Sequence, residues 1–377
     1  MFDSLLLSGI FISLLAGQFA RIELINSLAN VYVHEFILLI FIISSVVQFG
    51  LSPIKSIIKS KATLTLLLIF LISFSLSFME FTLMQNSIAL LYCMRIVLYV
   101  LFGIYLFASI KSKKYIRVLV YKLIYTFSIL LLIATAIQYI FFPNFWSLYA
   151  FGWDPHLYRA SAIYLDVFIA AAIYGLLSLF WFSNKQKVLA LFFVLALVLS
   201  FSRSAYVALA LSMLYFFTTQ KKWKELLISL CLFTLIIIFV PKPFGEGGNL
   251  LRTGSINSRI NDYKLGLTLW KKKPLFGFGY NRVRFAKEQL NLALIDDKSH
   301  SLSSFHSSFL IILVTTGSVG LISFLILVFT FLKRYPYMRV YALYIFSMSL
   351  FDNVLLHVLV MLPLLFIAAI LYHSSFE

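Results

Sequence analysis

The chain has 377 residues, of which 62% are hydrophobic and 12% are charged, and its mean hydropathy is +0.98. Soluble globular proteins contain about 45–50% apolar residues, so this composition excludes a soluble enzyme and predicts an integral membrane protein. The formal net charge of +17 does not by itself indicate a nucleic-acid partner, because much of it follows from membrane topology, as described below.

Apolar segments long enough to cross about 30 Å of hydrocarbon recur along the whole chain. They are too long for barrel strands and lack the alternation of such strands, so helices are expected to span the bilayer. We predict spans at about 5–20, 35–52, 63–79, 87–109, 117–141, 161–183, 188–202, 204–220, 226–241, 307–332, 340–354 and 356–373. The predicted fold is all-α, a polytopic transmembrane bundle of about twelve helices in a single membrane domain, 1–377.

The basic residues in the short connections predict the orientation of this bundle. Fifteen of the 31 Lys and Arg residues fall in connections on one side. The short connections on the other side contain only Arg21, Arg159 and Arg203. Cytoplasmic connections carry the excess of positive charge. We therefore expect both termini in the cytoplasm and the sparsely charged connections on the outer face.

The segment from about 242 to 305 is the longest polar stretch and is predicted to form a large outer loop. Loops of this length are usually functional or disordered. Within it, apolar side chains recur at the helical period, at Ile256, Ile260, Tyr263, Leu267 and Trp270. This spacing predicts an amphipathic helix near 257–271 that lies on the outer membrane face.

Three basic side chains on the predicted outer side are candidate site residues. Arg259 lies in the first turn of the predicted helix, where a cation opposes the helix dipole unless an anion shares the site. Arg203 sits at the outer tip between two helices, where snorkelling to head groups would also explain it. His306 opens the tenth predicted span after Ser303 and Ser304, which can cap it, and a helix N-terminus there favours a neutral ring that can accept a proton.

These residues share one predicted side of the membrane with Arg159. Guanidinium groups beside a neutral base suit the transfer of a group away from a diphosphate. The arginines would stabilise charge on the leaving phosphate, and the histidine would take a proton from the incoming hydroxyl. The chain has no Asp-x-Asp motif, and the adjacent acidic pair Asp296 and Asp297 lies in the middle of the loop. We therefore expect no metal and no other cofactor.

The C-terminal half, about 200–325, resembles the superfamily of bacterial O-antigen ligases, which also contains O-antigen and exopolysaccharide polymerases. "HSSFLIILVTTGSVG" fits its His-Ser and Gly-x-x-Gly pattern at His306, Ser307, Gly317 and Gly320. The Ser-Arg-Ser-Ala piece around Arg203 and "SRINDYKLGLTLWKKKPLFGFGYN" resemble two further segments of these proteins. We expect Gly317 and Gly320 to allow close helix packing, and the two glycines of "FGFG", Gly277 and Gly279, to form a tight turn.

The resemblance implies a largely helical, C-type membrane glycosyltransferase of the bacterial inner membrane with its active site on the periplasmic face. Such an enzyme takes a glycan from an undecaprenyl diphosphate donor and transfers it with inversion, without a metal, to a glycan or lipid A-core acceptor. By resemblance, Arg203 and Arg259 would bind the diphosphate and His306 would be the base. Arg159 and Arg95 are weaker substrate-binding candidates. A chain-length regulator and a flippase are further candidate partners.

Several functions remain open. A surface polysaccharide (O-antigen) polymerase is favoured, because the ligase-type His motif recurs among polymerases; a ligase is the first alternative. Intramembrane charges, at Arg95, Lys122 and Asp166, would suit a flippase or another transporter. The single large outer loop argues against the two related halves typical of such transporters. A non-catalytic scaffold is the last alternative.

Overall fold

A computed structural model of the protein describes residues 2–24, 28–58, 60–151, 153, 155–241, 247–292 and 304–374. It is 78% helical, with fifteen α-helices and one small sheet among those residues. The predicted all-α class is therefore confirmed, whereas the number of membrane crossings stays a prediction.

The helices follow one another with short connections over most of the chain. In order they are α1 Phe2–Ala16, α2 Val33–Phe49, α3 Ser52–Ile58, α4 Lys61–Leu76, α5 Leu83–Ser112, α6 Lys114–Phe141, α7 Val167–Ser183, α8 Lys187–Leu199, α9 Arg203–Thr219, α10 Trp223–Phe239, α11 Gly254–Lys272, α12 Val283–Gln289, α13 Ser308–Arg334, α14 Arg339–Ser349 and α15 Val358–Ser374.

Five helical segments are long and apolar enough to cross a membrane. They are Phe2–Ala20, Lys61–Glu80, Leu83–Ser112, Lys114–Phe141 and Ser308–Arg334. Further apolar helices of 10–17 residues include α2, α7, α8 and most of α15. Leu67 and Leu71 on α4 are 45% and 61% exposed within the protein, as expected for a helix whose outer surface contacts lipid.

Two local structures differ from the predicted spans. Strands β1 Arg21–Leu24 and β2 Ala29–Tyr32 form an antiparallel hairpin, with Arg21 paired to Tyr32. Strands of four residues are too short to leave a periodic pattern in the sequence. Helix α7 begins at Val167 and not near 161, because the Asp166 carboxylate accepts the Phe168 N–H (3.0 Å) and caps the helix. Asp166 thus has a structural partner at a helix end.

The main core is built around α7, which is buried over nearly its whole length and packs against α8, α14 and α15. Gly175 lets α14 approach closely, since a Cβ there would lie 2.1 Å from Cζ of Tyr344. The Tyr344 hydroxyl donates to the Ala171 carbonyl at 2.7 Å. This core holds α14 and the chain segment that follows it.

Helix α13 is broken at Gly317, where φ is 69° and ψ is −174°. The break lies about 14 Å along the helix from its first residue. The segment 274–279, which follows α11, runs beside it and supplies the missing hydrogen bonds. The N–H groups of Phe278 and Gly279 donate to the carbonyls of Val314 (3.1 Å) and Thr315 (2.8 Å), and Ser318 N–H donates to Pro274 O (2.8 Å).

The four glycines have separate roles in this arrangement. Gly277 and Gly279 adopt φ of +67° and +87°, consistent with the predicted turn. Gly317 permits a close approach, but of the extended segment 274–279 and not of a helix, since a Cβ there would lie 2.1 Å from Leu275 O. A Cβ at Gly320 would meet Oγ1 of Thr316 at 2.1 Å. The segment predicted as an outer loop is thus partly inserted against α13.

Arg282 anchors the inserted segment to the N-terminal half of the chain. It is fully buried, and its guanidinium donates to Phe74 O (2.9 Å) and Asn86 Oδ1 (2.5 Å). The guanidinium also lies 4.0 Å from the ring centroid of Phe74. Helices α4 and α5 therefore help to hold the segment in place.

Candidate active site

Helix α11 organises the candidate site. Its buried residues Gly266 and Leu269 face the protein, and Gly266 lies against Leu310 of α13. Of the predicted apolar stripe, Ile256, Ile260 and Leu267 are 42–46% exposed, whereas Tyr263 and Trp270 are partly buried and pack against the core. Only part of the stripe is therefore exposed, and positions 255, 259, 262 and 266, at helical spacing, lie on the face turned to the protein.

Arg203 is the first residue of α9 and reaches toward the beginning of α11. Its Nη1 donates to the carbonyls of Leu250 and Arg252, each at 3.0 Å, and its Nη2 donates to Ser255 Oγ at 2.6 Å. All three acceptors are neutral. The guanidinium is thus oriented by its neighbours while it keeps a full positive charge that could interact with an anion.

Arg259 lies one turn after Ser255 on the same helix. Its Nη2 contacts Asp352 Oδ1 at 2.6 Å and its Nε donates to Phe351 O at 2.8 Å. Asp352 is fully buried, and its other oxygen accepts the hydroxyl of Ser204. This carboxylate therefore joins the beginning of α9 to α11.

The expected position of Arg259 in the first helical turn is wrong. Helix α11 begins at Gly254, which makes Arg259 its sixth residue and places it in the second turn. The helix dipole acts mainly within the first turn. The charge of Arg259 is balanced by Asp352, so opposition to the dipole is not the reason to expect an anion here.

His306 lies just before the beginning of α13. The N-cap is Ser307, whose hydroxyl accepts the Leu310 N–H at 3.3 Å. Ser303 is outside the described residues, and the predicted cap at Ser304 is wrong because the helix begins later. Both the backbone N–H (2.9 Å) and Nδ1 (2.5 Å) of His306 contact Oδ2 of Asp262 on α11.

Asp262 is expected to be ionised in this position. Burial raises its pKa, but hydrogen bonds from the His306 ring and backbone outweigh this effect, with the charge of Lys287 also contributing, so that the pKa is lowered overall. A carboxylate beside Nδ1 favours the tautomer in which Nδ1 carries the proton. Nε2, the atom that would accept a proton from a substrate, is then the unprotonated nitrogen.

Helix α11 thus brings Arg203, Arg259 and His306 together, although they are far apart in the sequence. Arg203 and Arg259 both contact Ser255, through its hydroxyl (2.6 Å) and its carbonyl (3.4 Å) respectively. Asp262, which holds His306, is three residues after Arg259, and residues at this spacing are neighbours on a helix surface. Their catalytic roles stay predictions.

The two weaker candidates lie in different surroundings. The Nε of Arg159 donates to Ser200 O at 2.9 Å. Ser200 lies three residues before Arg203 in the chain. Arg95 is held in α5 by Glu35, with Nε to Oε1 at 2.6 Å, and it also donates to Asn30 O. Arg159 is therefore close to the corner that carries Arg203, whereas Arg95 has its own carboxylate partner. Substrate binding by either residue stays a prediction.

Three residues of the site were not predicted from the sequence. Asp262 follows Arg259 by three residues, and this helical spacing is the sequence signal that could have placed Asp262 in the site. Asp352 lies in the break between two apolar helices, where an acidic residue is expected to be solvated. Arg252 donates to Phe201 O (3.1 Å), and its own carbonyl accepts from Arg203. Only the folded chain indicates the role of the last two.

Across the residues that the structure describes, no three His, Cys, Asp or Glu side chains are grouped as metal ligands. Asp296 and Asp297 lie outside those residues. The expectation of a metal-independent site therefore stays a prediction.

We expect Asp352→Ala to lower the free energy of unfolding by about 3 kcal/mol, because it removes one partner of a buried ion pair and leaves Arg259 without a carboxylate. Denaturation of the purified protein in detergent measures the change. Glu288→Ala is the matched control. It removes the partly exposed pair with Arg284 (3.1 Å), which is worth about 0.5 kcal/mol. Equal losses in the two variants would contradict the role given to Asp352.

Residues 188–325 match the family model described as O-antigen ligase. The matched range contains Arg203, Arg259, Asp262 and His306, together with the break in α13. No match was found among curated proteins.

Proposed function

We propose that the chain is an inverting glycosyltransferase of the O-antigen ligase and polymerase superfamily, and most specifically a surface polysaccharide polymerase. The match of residues 188–325 to the family model described as O-antigen ligase supports this proposal. The enzyme moves a glycan from an undecaprenyl diphosphate carrier to the hydroxyl of a second carrier-linked glycan. One observation supports this above all others. Two arginines and a histidine, far apart in the chain, meet on one face of α11.

The arrangement suits a single displacement. Nε2 of His306 takes the proton of the acceptor hydroxyl as its oxygen bonds to the anomeric carbon. The bond from that carbon to the diphosphate oxygen breaks at the same time, and the electron pair leaves with the diphosphate. Attack opposite the leaving group inverts the anomeric centre. Arg203 stabilises the charge that develops on the leaving group, since its own contacts are all to neutral acceptors.

Arg259 contributes to the same anion from the next turn of α11. Its Nη1 makes one long contact, to Ser255 O at 3.4 Å, while Nε and Nη2 are held by Phe351 and Asp352. The guanidinium is thus fixed at one edge and can offer Nη1 to a phosphate oxygen. Arginine then takes the role that a divalent ion has in other glycosyltransferases, and catalysis requires no metal.

A ligase remains the first alternative, because it would use the same donor and the same chemistry with lipid A-core as acceptor. The intramembrane charges that would suit a transporter give that alternative little support. Asp166 caps α7 and Arg95 is paired with Glu35, so both have structural roles, and Lys122 is exposed on α6.

Disruption of the gene distinguishes these functions in the cell. We expect loss of a polymerase to leave lipid A-core that carries one repeat unit, whereas loss of a ligase would leave core with none. The lipopolysaccharide ladder on a gel measures the difference. The purified protein is also expected to extend a lipid-linked repeat unit in vitro. Glycan uptake into liposomes without any glycan transfer would contradict the proposal and support a transporter.

A further inference from the structure

One carboxylate oxygen makes two contacts to a single residue in the site. Oδ2 of Asp262 accepts the backbone N–H of His306 at 2.9 Å and lies 2.5 Å from Nδ1 of its ring. Asp262 is 17% exposed and His306 is 29% exposed. The Nδ1 edge of the ring is therefore held by Asp262, while the His306 side chain keeps part of its surface exposed.

Lys287 of α12 holds the same turn through separate contacts. Its Nζ donates to Ser304 O at 2.8 Å and lies 4.2 Å from the ring centroid of Phe305. Burial lowers its pKa to about 8, and the negative charge of Asp262 acts in the opposite direction. Residues 304–306 are thus held between α12 and α11, so the position of the imidazole is set by two elements and not by its own flexible turn.

We propose that Asp262 is the positioning residue of this enzyme, which orients the imidazole of His306 and fixes the proton on Nδ1 so that Nε2 acts as the base. This inference rests on the proposed function. When Nε2 takes the proton of the acceptor hydroxyl, the ring becomes an imidazolium and Asp262 remains a carboxylate beside it. The pair gains a favourable charge interaction at the moment when the acceptor oxygen becomes nucleophilic.

A purely structural role for Asp262 makes a different prediction. An acceptor for the His306 backbone N–H would hold the turn equally well if it were the neutral oxygen of Asn. The ring contact is the part that needs a carboxylate. An Asn oxygen at the position of Oδ2 would keep both contacts but would offer no negative charge to the imidazolium, and an Asn turned to present its NH₂ group to Nδ1 would reverse the tautomer. Nδ1 would then be the acceptor and Nε2 would carry the proton, which removes the base.

Asp262→Asn is therefore expected to lower kcat by about 10²- to 10⁴-fold, as for other carboxylates that orient a catalytic histidine. The KM for the lipid-linked donor should change little, because Arg203 and Arg259 are unaltered. Glu288→Gln, the same carboxylate-to-amide change at the neighbouring α12, is the control and should retain the wild-type rate. Initial rates of the purified full chain with a synthetic undecaprenyl diphosphate glycan measure both constants.

A double-mutant cycle separates positioning from folding. In a His306→Ala background, Asp262→Asn should cause no further loss of rate, because Asp262 acts only through the imidazole. A loss that multiplies with that of His306→Ala would overturn the proposal. If Asp262→Asn is not recovered in folded form, Asp262→Glu replaces it, with a loss of about tenfold expected beside His306 and none beside Ala.

The failure of this inference differs from the failure of the proposed function. A His306→Ala enzyme with the wild-type rate would contradict the proposed function itself. An inactive His306→Ala enzyme together with a fully active Asp262→Asn enzyme would overturn only the role of Asp262.

Discussion

Arg203→Lys is expected to lower the rate of glycan transfer by about 10²- to 10³-fold although the positive charge is kept. The guanidinium uses two nitrogens to bind Leu250 O, Arg252 O and Ser255 Oγ. A single lysine Nζ cannot keep these contacts and at the same time face a diphosphate in a fixed orientation. Single-turnover transfer by purified protein measures the chemical step without product release.

Arg284→Lys is the matched control for this change. Arg284 pairs with Glu288 at the surface of α12 (3.1 Å), and the substitution should leave the rate unchanged.

We expect Arg203→Ala, Arg259→Ala and His306→Ala each to come close to abolishing transfer at normal protein level. Because Arg259→Ala also leaves Asp352 buried without its ion pair, its melting temperature must be compared with that of the wild type. Normal polymer production by all three variants would support the scaffold alternative.

Gly317→Ala is expected to prevent accumulation of folded protein. The backbone at Gly317 lies in a region of φ and ψ that is essentially restricted to glycine, and other residues there cost about 1–3 kcal/mol. The added Cβ would also lie 2.1 Å from the carbonyl oxygen of Leu275, so segment 274–279 would have to move away from α13. The amount of protein in the membrane and its melting temperature in detergent measure the effect.

Gly254→Ala is the control for this prediction. A Cβ at Gly254 meets nothing within 4 Å, and in a helix alanine is favoured over glycine by roughly 1 kcal/mol. This variant should therefore be as stable as the wild type or slightly more stable. If Gly317→Ala accumulates and melts like Gly254→Ala, the break in α13 does not depend on contact with segment 274–279.

Helix α11 illustrates how far the sequence could predict the site. The apolar spacing from Ile256 to Trp270 predicted a helix near 257–271, and the structure has one at Gly254–Lys272. The predicted first residue of the helix was three positions too late. Arg259 therefore lies in the second turn and not in the first, and opposition to the helix dipole is no longer a reason to expect an anion beside it. Periodicity depends on the middle of a helix, whereas its ends depend on contacts that a pattern does not contain.

The inserted segment was predicted less well. Its glycines indicated a turn, and the turn is present at Gly277 and Gly279. The sequence did not indicate that this turn pairs with a broken membrane helix, because the broken helix reads as one uninterrupted apolar run. Hydropathy indicates which segments avoid water, but it contains no information about the φ angle of a single glycine within such a segment.

By itself, the sequence determined the composition of a membrane protein and the helical class, and it selected three basic residues as candidates whose catalytic roles stay predictions. These follow from local quantities, namely hydropathy, spacing and residue type, which a linear chain carries. Only the tertiary structure decided that Asp352 pairs with Arg259 and that Asp262 holds His306. Each partner is contributed by a segment 44 or 93 residues away, and the packing that joins such segments is set by the whole bundle.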